Sequence, residues 1–122
     1  MNHFTTFAAL LALVLGVGCG KKKEPPPDGE SPLGFARDIK YIMARYCFEC
    51  HGVKNKEAEL DLRTVESILA GGESGPAIVP GKPDESILFE MIHDEQMPPE
   101  GKMPGADDIE RVRQWIASGA KP

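Results

Sequence analysis

Cysteine and large aromatic side chains are the scarce goods of this 122-residue chain, which holds three Cys, one Trp, two Tyr and five Phe. Three cysteines are few, and odd in number, for a disulfide scaffold. With aromatics at 7%, a core built from protein alone is short of large side chains, and a buried prosthetic group would add apolar surface. The chain is long enough for one domain and no more. It also lacks a membrane-spanning run: the uncharged stretch from Phe4 to Val17 has about fourteen residues, where a permanent helix needs about twenty. No stretch reads as a credible strand. Positive charge is in deficit, with 14 Lys and Arg against 19 Asp and Glu, and the net charge of −5 argues against nucleic acid or an anionic membrane surface as partner. No acid–base pair or nucleophile suggests turnover of a substrate.

What is present starts with a leader. The apolar run 4–17 suits a signal-peptide core, and it ends Leu15-Gly16-Val17-Gly18-Cys19-Gly20. Small residues before a cysteine resemble a bacterial lipobox, which makes Cys19 the expected lipidated N-terminus. Gly16 stands where Leu is usual, and no Lys or Arg precedes the run; cleavage at a nearby small residue by the ordinary signal peptidase is the alternative. Gly20, rather than Asp, leans towards the outer membrane. Lys21-Lys22-Lys23-Glu24-Pro25-Pro26-Pro27 follows, where charge and consecutive prolines predict an extended tether. The expected organisation is therefore a signal peptide at 1–18, a lipidated tether at 19–33 and one domain at 34–122.

That domain is organised around Cys47-Phe48-Glu49-Cys50-His51. Two cysteines separated by two residues, with histidine next, form the attachment pattern of a c-type haem. Thiols three positions apart on one turn both reach the vinyl groups of one porphyrin, and the following imidazole meets the iron as proximal ligand. A thioredoxin-like redox pair normally opens a helix after a strand, and none precedes it here. A structural zinc site needs about four ligands, and these residues supply three.

Phe35, Ile39, Ile42 and Tyr46 predict an amphipathic helix leading into the motif. Gly52 to Glu59 reads as loop. Leu60, Leu62, Val65, Ile68 and Leu69 predict a short helical segment ended by Gly71-Gly72. Residues 71–83 read as an irregular loop over one haem edge. Asp84 or Ser86 is the expected cap of a helix carrying Ile87, Leu88, Met91 and Ile92. Asp107 and Asp108 open a final helix, where the dipole favours acids, and Ile109, Val112, Trp115 and Ile116 form its apolar stripe. About four short helices, long loops and no strand predict an all-α domain.

An iron held by His51 needs a sixth ligand to stay six-coordinate, and a thioether there raises the potential. Met97 stands before Pro98 and Pro99, which stiffen the backbone around it. Met103, before Pro104, and His93 are the other candidates. The free N–H of His51 needs an acceptor, for which the carbonyl of Pro76 or Pro80 is in view. Arg63, Lys82 and Trp115 are candidate partners for a propionate, although Trp115 on a helical stripe reads first as core, at a crossing of the first and last helices.

Taken together, Cys47-Phe48-Glu49-Cys50-His51-Gly52, Gly71-Gly72 through Gly75-Pro76-Ala77-Ile78-Val79-Pro80-Gly81, Pro83-Asp84-Glu85-Ser86-Ile87-Leu88, Met97-Pro98-Pro99, and Trp115-Ile116 with Gly119-Ala120 resemble the planctomycete-type cytochrome c domain within the class I c-type cytochromes. The resemblance covers roughly 35–122. It implies a small helical class I fold around one covalent haem c, with His51 and Met97 as axial ligands and one-electron transfer between redox partner proteins. Here the domain is expected as a stand-alone lipoprotein on the periplasmic side of a membrane. A haem-based sensor or peroxidase-like enzyme with an open sixth position is the alternative, and a haem-free metal-binding lipoprotein is a third reading. The sequence carries no signal of oligomeric state.

Overall fold

In the computed structural model, residues 32–122 are described, so the leader, Cys19 and most of the tether lie outside the described residues. The apolar spacing from Phe35 forms one helical run in two pieces. A π-helical turn, Phe35–Ile39, passes directly into α1, Lys40–Tyr46. The sequence predicted a single amphipathic helix here. The wider first turn still buries Phe35 and Ile39, and α1 then buries Ile42 and Met43.

Three further helices follow: α2, Val65–Ala70; α3, Ile87–His93; and α4, Ala106–Ala117. Short 3-10 turns at Glu57–Glu59 and Pro83–Glu85 lie between them. The described residues contain no strand beyond two isolated bridges, so the fold is all-α, as a small cytochrome c-like fold requires. No helix among them is long and apolar enough to cross a membrane.

Each helix is placed by its apolar face and by backbone ties. Thr64 and Ser67 form a reciprocal capping box that starts α2, with the Ser67 amide donating to Thr64 Oγ1 at 3.1 Å. Ala77 couples α2 to α3, donating to the Ile68 carbonyl and accepting from the Leu88 amide. Asp107 and Asp108 sit in the first turn of α4, as expected. Ser86 does not cap α3 with its side chain. Its buried hydroxyl instead donates to the Lys82 carbonyl at 2.8 Å and accepts from the Val79 amide at 2.9 Å, which closes the loop before the helix.

The core forms where the first and last helical segments meet. Trp115, Val112 and Ile116 of α4 are fully buried, and the Trp115 ring lies 5.5 Å from that of Phe35. Trp115 Nε1 donates to the Lys121 carbonyl at 2.8 Å, and the Phe35 amide donates to the same oxygen at 2.9 Å. One carbonyl near the C-terminus thus locks both partners of the crossing. Trp115 is a core residue, not a propionate donor.

Candidate cofactor cleft

The Cys47–His51 turn grows directly out of α1. The Cys47 and Phe48 amides donate back to the Met43 carbonyl, and the amides of Cys50 and His51 then donate to the Cys47 carbonyl at 3.2 and 2.8 Å. The turn is anchored from outside as well: Glu57 donates to the Cys50 carbonyl and Leu62 to that of His51. Gly52 is required by space, since a Cβ there would sit 2.3 Å from the Phe48 carbonyl oxygen. Cys47 and Cys50 are half-buried free thiols. Burial first, and then neighbouring Cys50, pushes the Cys47 thiol up to about 11. A thiol-exchange nucleophile needs the opposite shift, which counts against a thioredoxin-like pair.

Cys47, Cys50 and His51 line a predominantly apolar cleft of about 310 Å³, within the range of about 300–1,000 Å³ for small-molecule and cofactor sites. Across it come Leu88, Met91 and Ile92 of α3, then Met97, Pro98 and Pro99. The Gly72–Gly75 turn and Ala77 form another wall, so residues from the 71–83 loop do border the site. This wall depends on Gly71: its φ is +73°, and a Cβ there would fall 1.8 Å from the Gly75 carbonyl oxygen.

Of the three candidates for a sixth ligand, only Met97 lines this cleft. Met103 lies in a separate hollow with Lys102 and the start of α4. His93 is exposed in another hollow, its Nδ1 2.9 Å from Asp94 Oδ1 and its ring 5.3 Å from that of Phe89. Nor do the proposed propionate cations reach the site. Arg63 pairs with Asp61 at 2.7 Å and Lys82 with Glu85 at 3.1 Å, and neither lines the cleft.

His51 Nδ1 is buried and has no hydrogen-bond partner, alone in this respect among the described side-chain atoms. Neither Pro76 nor Pro80 supplies the carbonyl that the sequence suggested. Their loop is drawn elsewhere, by the Val79 amide to Ser86 and by the Gly81 amide to the Ile116 carbonyl. The other ring nitrogen, Nε2, is not among the buried atoms without a partner, and His51 itself lines the cleft.

Asp61 braces the segment between His51 and Leu62. Its carboxylate accepts from the Arg63 amide and guanidinium and pairs with Lys56 Nζ at 3.3 Å. The Arg63 guanidinium holds this carboxyl well below the usual carboxylate range. Because the folded-state pKa is depressed, the stabilisation is complete above the unfolded value of about 4 and is lost as pH falls below it. Asp61→Asn should therefore cost about 1 kcal/mol near neutrality. Denaturant titrations should show the gap from wild type closing below about pH 4, whereas a constant gap would rule out this ion pair as its source.

Residues 47–101 match a family model described as Planctomycete cytochrome C. Over these residues the chain is similar to planctomycete cytochrome c domains. No curated protein and no solved structure matches it. That similarity implies covalently bound haem c, and the residues that line the cleft fit that group. Two thiols on one turn would take its thioether bonds, and the adjacent imidazole lines the same apolar cleft.

Several lining residues were invisible in the sequence. Ala58 reaches the cleft because the Glu57–Glu59 turn adopts positive φ at Ala58 and Glu59, and its carbonyl accepts from the Glu73 amide at 2.8 Å. Nothing in Glu57-Ala58-Glu59 signals that conformation. Met91 and Tyr46 were legible as helical residues but not as cleft residues, since the period marks a face and not what that face meets. The Tyr46 hydroxyl donates to Asp108 at 3.1 Å. Burial first, and then that bond to Asp108, pushes the phenol up.

Proposed function

We propose that this protein is a membrane-anchored monohaem cytochrome that carries single electrons between redox partner proteins, with His51 and Met97 as axial ligands. The observation that carries the reading is that Cys47, Cys50, His51 and Met97 all line one apolar cleft, while Met103 and His93 do not. The haem, when bound, supplies the one-electron chemistry. The chain's own residues hold it covalently, orient it and surround it with apolar side chains. A thioether opposite His51 favours the ferrous state and fills the position at which a small ligand would otherwise bind.

Export and anchoring rest on the leader, Cys19 and the tether, which favour lipid attachment on the periplasmic side, at the outer membrane. The family supports an exported protein. Redox proteins, not nucleic acid, suit a carrier with net charge −5.

One observation favours the second reading, a sensor or peroxidase-like enzyme: Met97 is 37% exposed on an irregular loop. The full chain, expressed with c-haem maturation machinery, separates the two. A carrier should show a low-spin spectrum, a weak far-red sulfur-to-iron band when oxidised, and resistance to carbon monoxide when reduced. A high-spin spectrum with ready carbon monoxide binding would replace the carrier with the open-site protein.

A further inference from the structure

Among the described methionines, Met43 is buried in the core and Met103 lies in its own hollow, but Met91 shares the cleft with Met97. Their proximity is built into the backbone. The amides of Gln96 and Met97 both donate to the Met91 carbonyl, at 2.9 and 3.0 Å, so the chain leaving α3 folds back onto the residue that precedes it by one turn and a loop. Two thioether-bearing residues, tied by their backbones, therefore line the same cleft. They differ in setting: Met91 is half-buried on α3, whereas Met97 is 37% exposed beyond the helix end.

We propose that Met91 is a second thioether ligand of the same cleft, which takes the axial position when the Met97 sulfur is withdrawn. This rests on the His51/Met97 reading above. The exchange breaks one iron–sulfur bond and forms another, with no electron or proton transferred. Methionine has an unbranched side chain with three rotatable bonds, so the substitution needs side-chain rotation and leaves the hydrogen-bonded turn intact. Because imidazole and thioether remain the ligand pair, the iron stays low-spin and closed to small ligands.

The test uses the oxidised full-length holoprotein as wild type, Met97→Ala, Met91→Leu and the double variant, read by the far-red sulfur-to-iron band. The expected result is a band in wild type and in both single variants, lost only in the double variant. Carbon monoxide binding to the reduced proteins should follow the same pattern, slow in the single variants and ready in the double. Loss of the band in Met97→Ala alone overturns the second-ligand role and leaves Met97 as sole ligand. Loss in Met91→Leu alone makes Met91 the resident ligand and overturns the proposal as stated. Retention in the double variant overturns it in favour of a third donor. Absence of the band from wild type defeats the Met97 reading itself.

Discussion

Cys47→Ser combined with Cys50→Ser is expected to leave a protein from which acid–acetone removes all haem, where wild type keeps its pigment through extraction and denaturing electrophoresis. The reasoning is covalent. Serine preserves the size and the local hydrogen bonding of the turn, whose amides already find partners at the Met43 and Cys47 carbonyls. It cannot form a thioether. Each single variant keeps one bond and should retain stained haem, so the effect is a step between one cysteine and none. Pigment that survives extraction from the double variant would show that attachment lies elsewhere. The Cys47 thiol, pushed up to about 11 mainly by burial, also predicts slow alkylation by iodoacetamide of apoprotein that keeps this fold, since the thiolate is the reactive form.

Trp115→Ala is expected to remove a large share of the folding stability. Large-to-small changes at buried Trp cost about 3–5 kcal/mol, against a total of about 5–15 kcal/mol for a domain. Trp115 belongs at the upper end for three reasons visible in its surroundings. It is 0% exposed, its ring packs 5.5 Å from Phe35, and its indole N–H is satisfied by the Lys121 carbonyl. Deleting it opens a cavity at the helix crossing and leaves that carbonyl with the Phe35 amide alone. Trp115→Phe should cost less, because it keeps a ring against Phe35 and loses mainly the hydrogen bond, at about 1 kcal/mol, and some volume. Denaturant unfolding followed by far-ultraviolet circular dichroism should rank the variants wild type, Phe, Ala. Covalent haem should persist in all three, because attachment depends on the cysteines and not on the core. Equal midpoints for the Phe and Ala variants would mean that the ring packing contributes little.

These two expectations illustrate how differently the site and the core can be read from a sequence. Cys47, Cys50 and His51 are neighbours in the chain, so their chemistry is local and their spacing alone points to a cofactor class. The helices at α1, α3 and α4 were legible because burial of one face imposes a period of 3.6 residues that needs no knowledge of the partner. Trp115 could be placed on such a face, and its role as core rather than propionate donor emerged only when Lys121 was found at its indole nitrogen.

The distal side of the cleft was decided otherwise. Met97, Met103 and His93 were chemically eligible and close together in sequence, and local pattern could not rank their access to the cleft that His51 lines. The return of the chain onto the Met91 carbonyl brings Met97 to the cleft and leaves Met103 and His93 in other hollows. The same holds for His51 Nδ1, whose lack of an acceptor depends on ties of the 79–81 loop to Ser86 and Ile116. By itself the sequence determined the haem motif, the all-α class and the helix faces, because covalent spacing and helical period are properties of short stretches. The tertiary structure alone decided which side chains share the cleft, because that depends on long-range hydrogen bonds between loops whose residues carry no periodic signal.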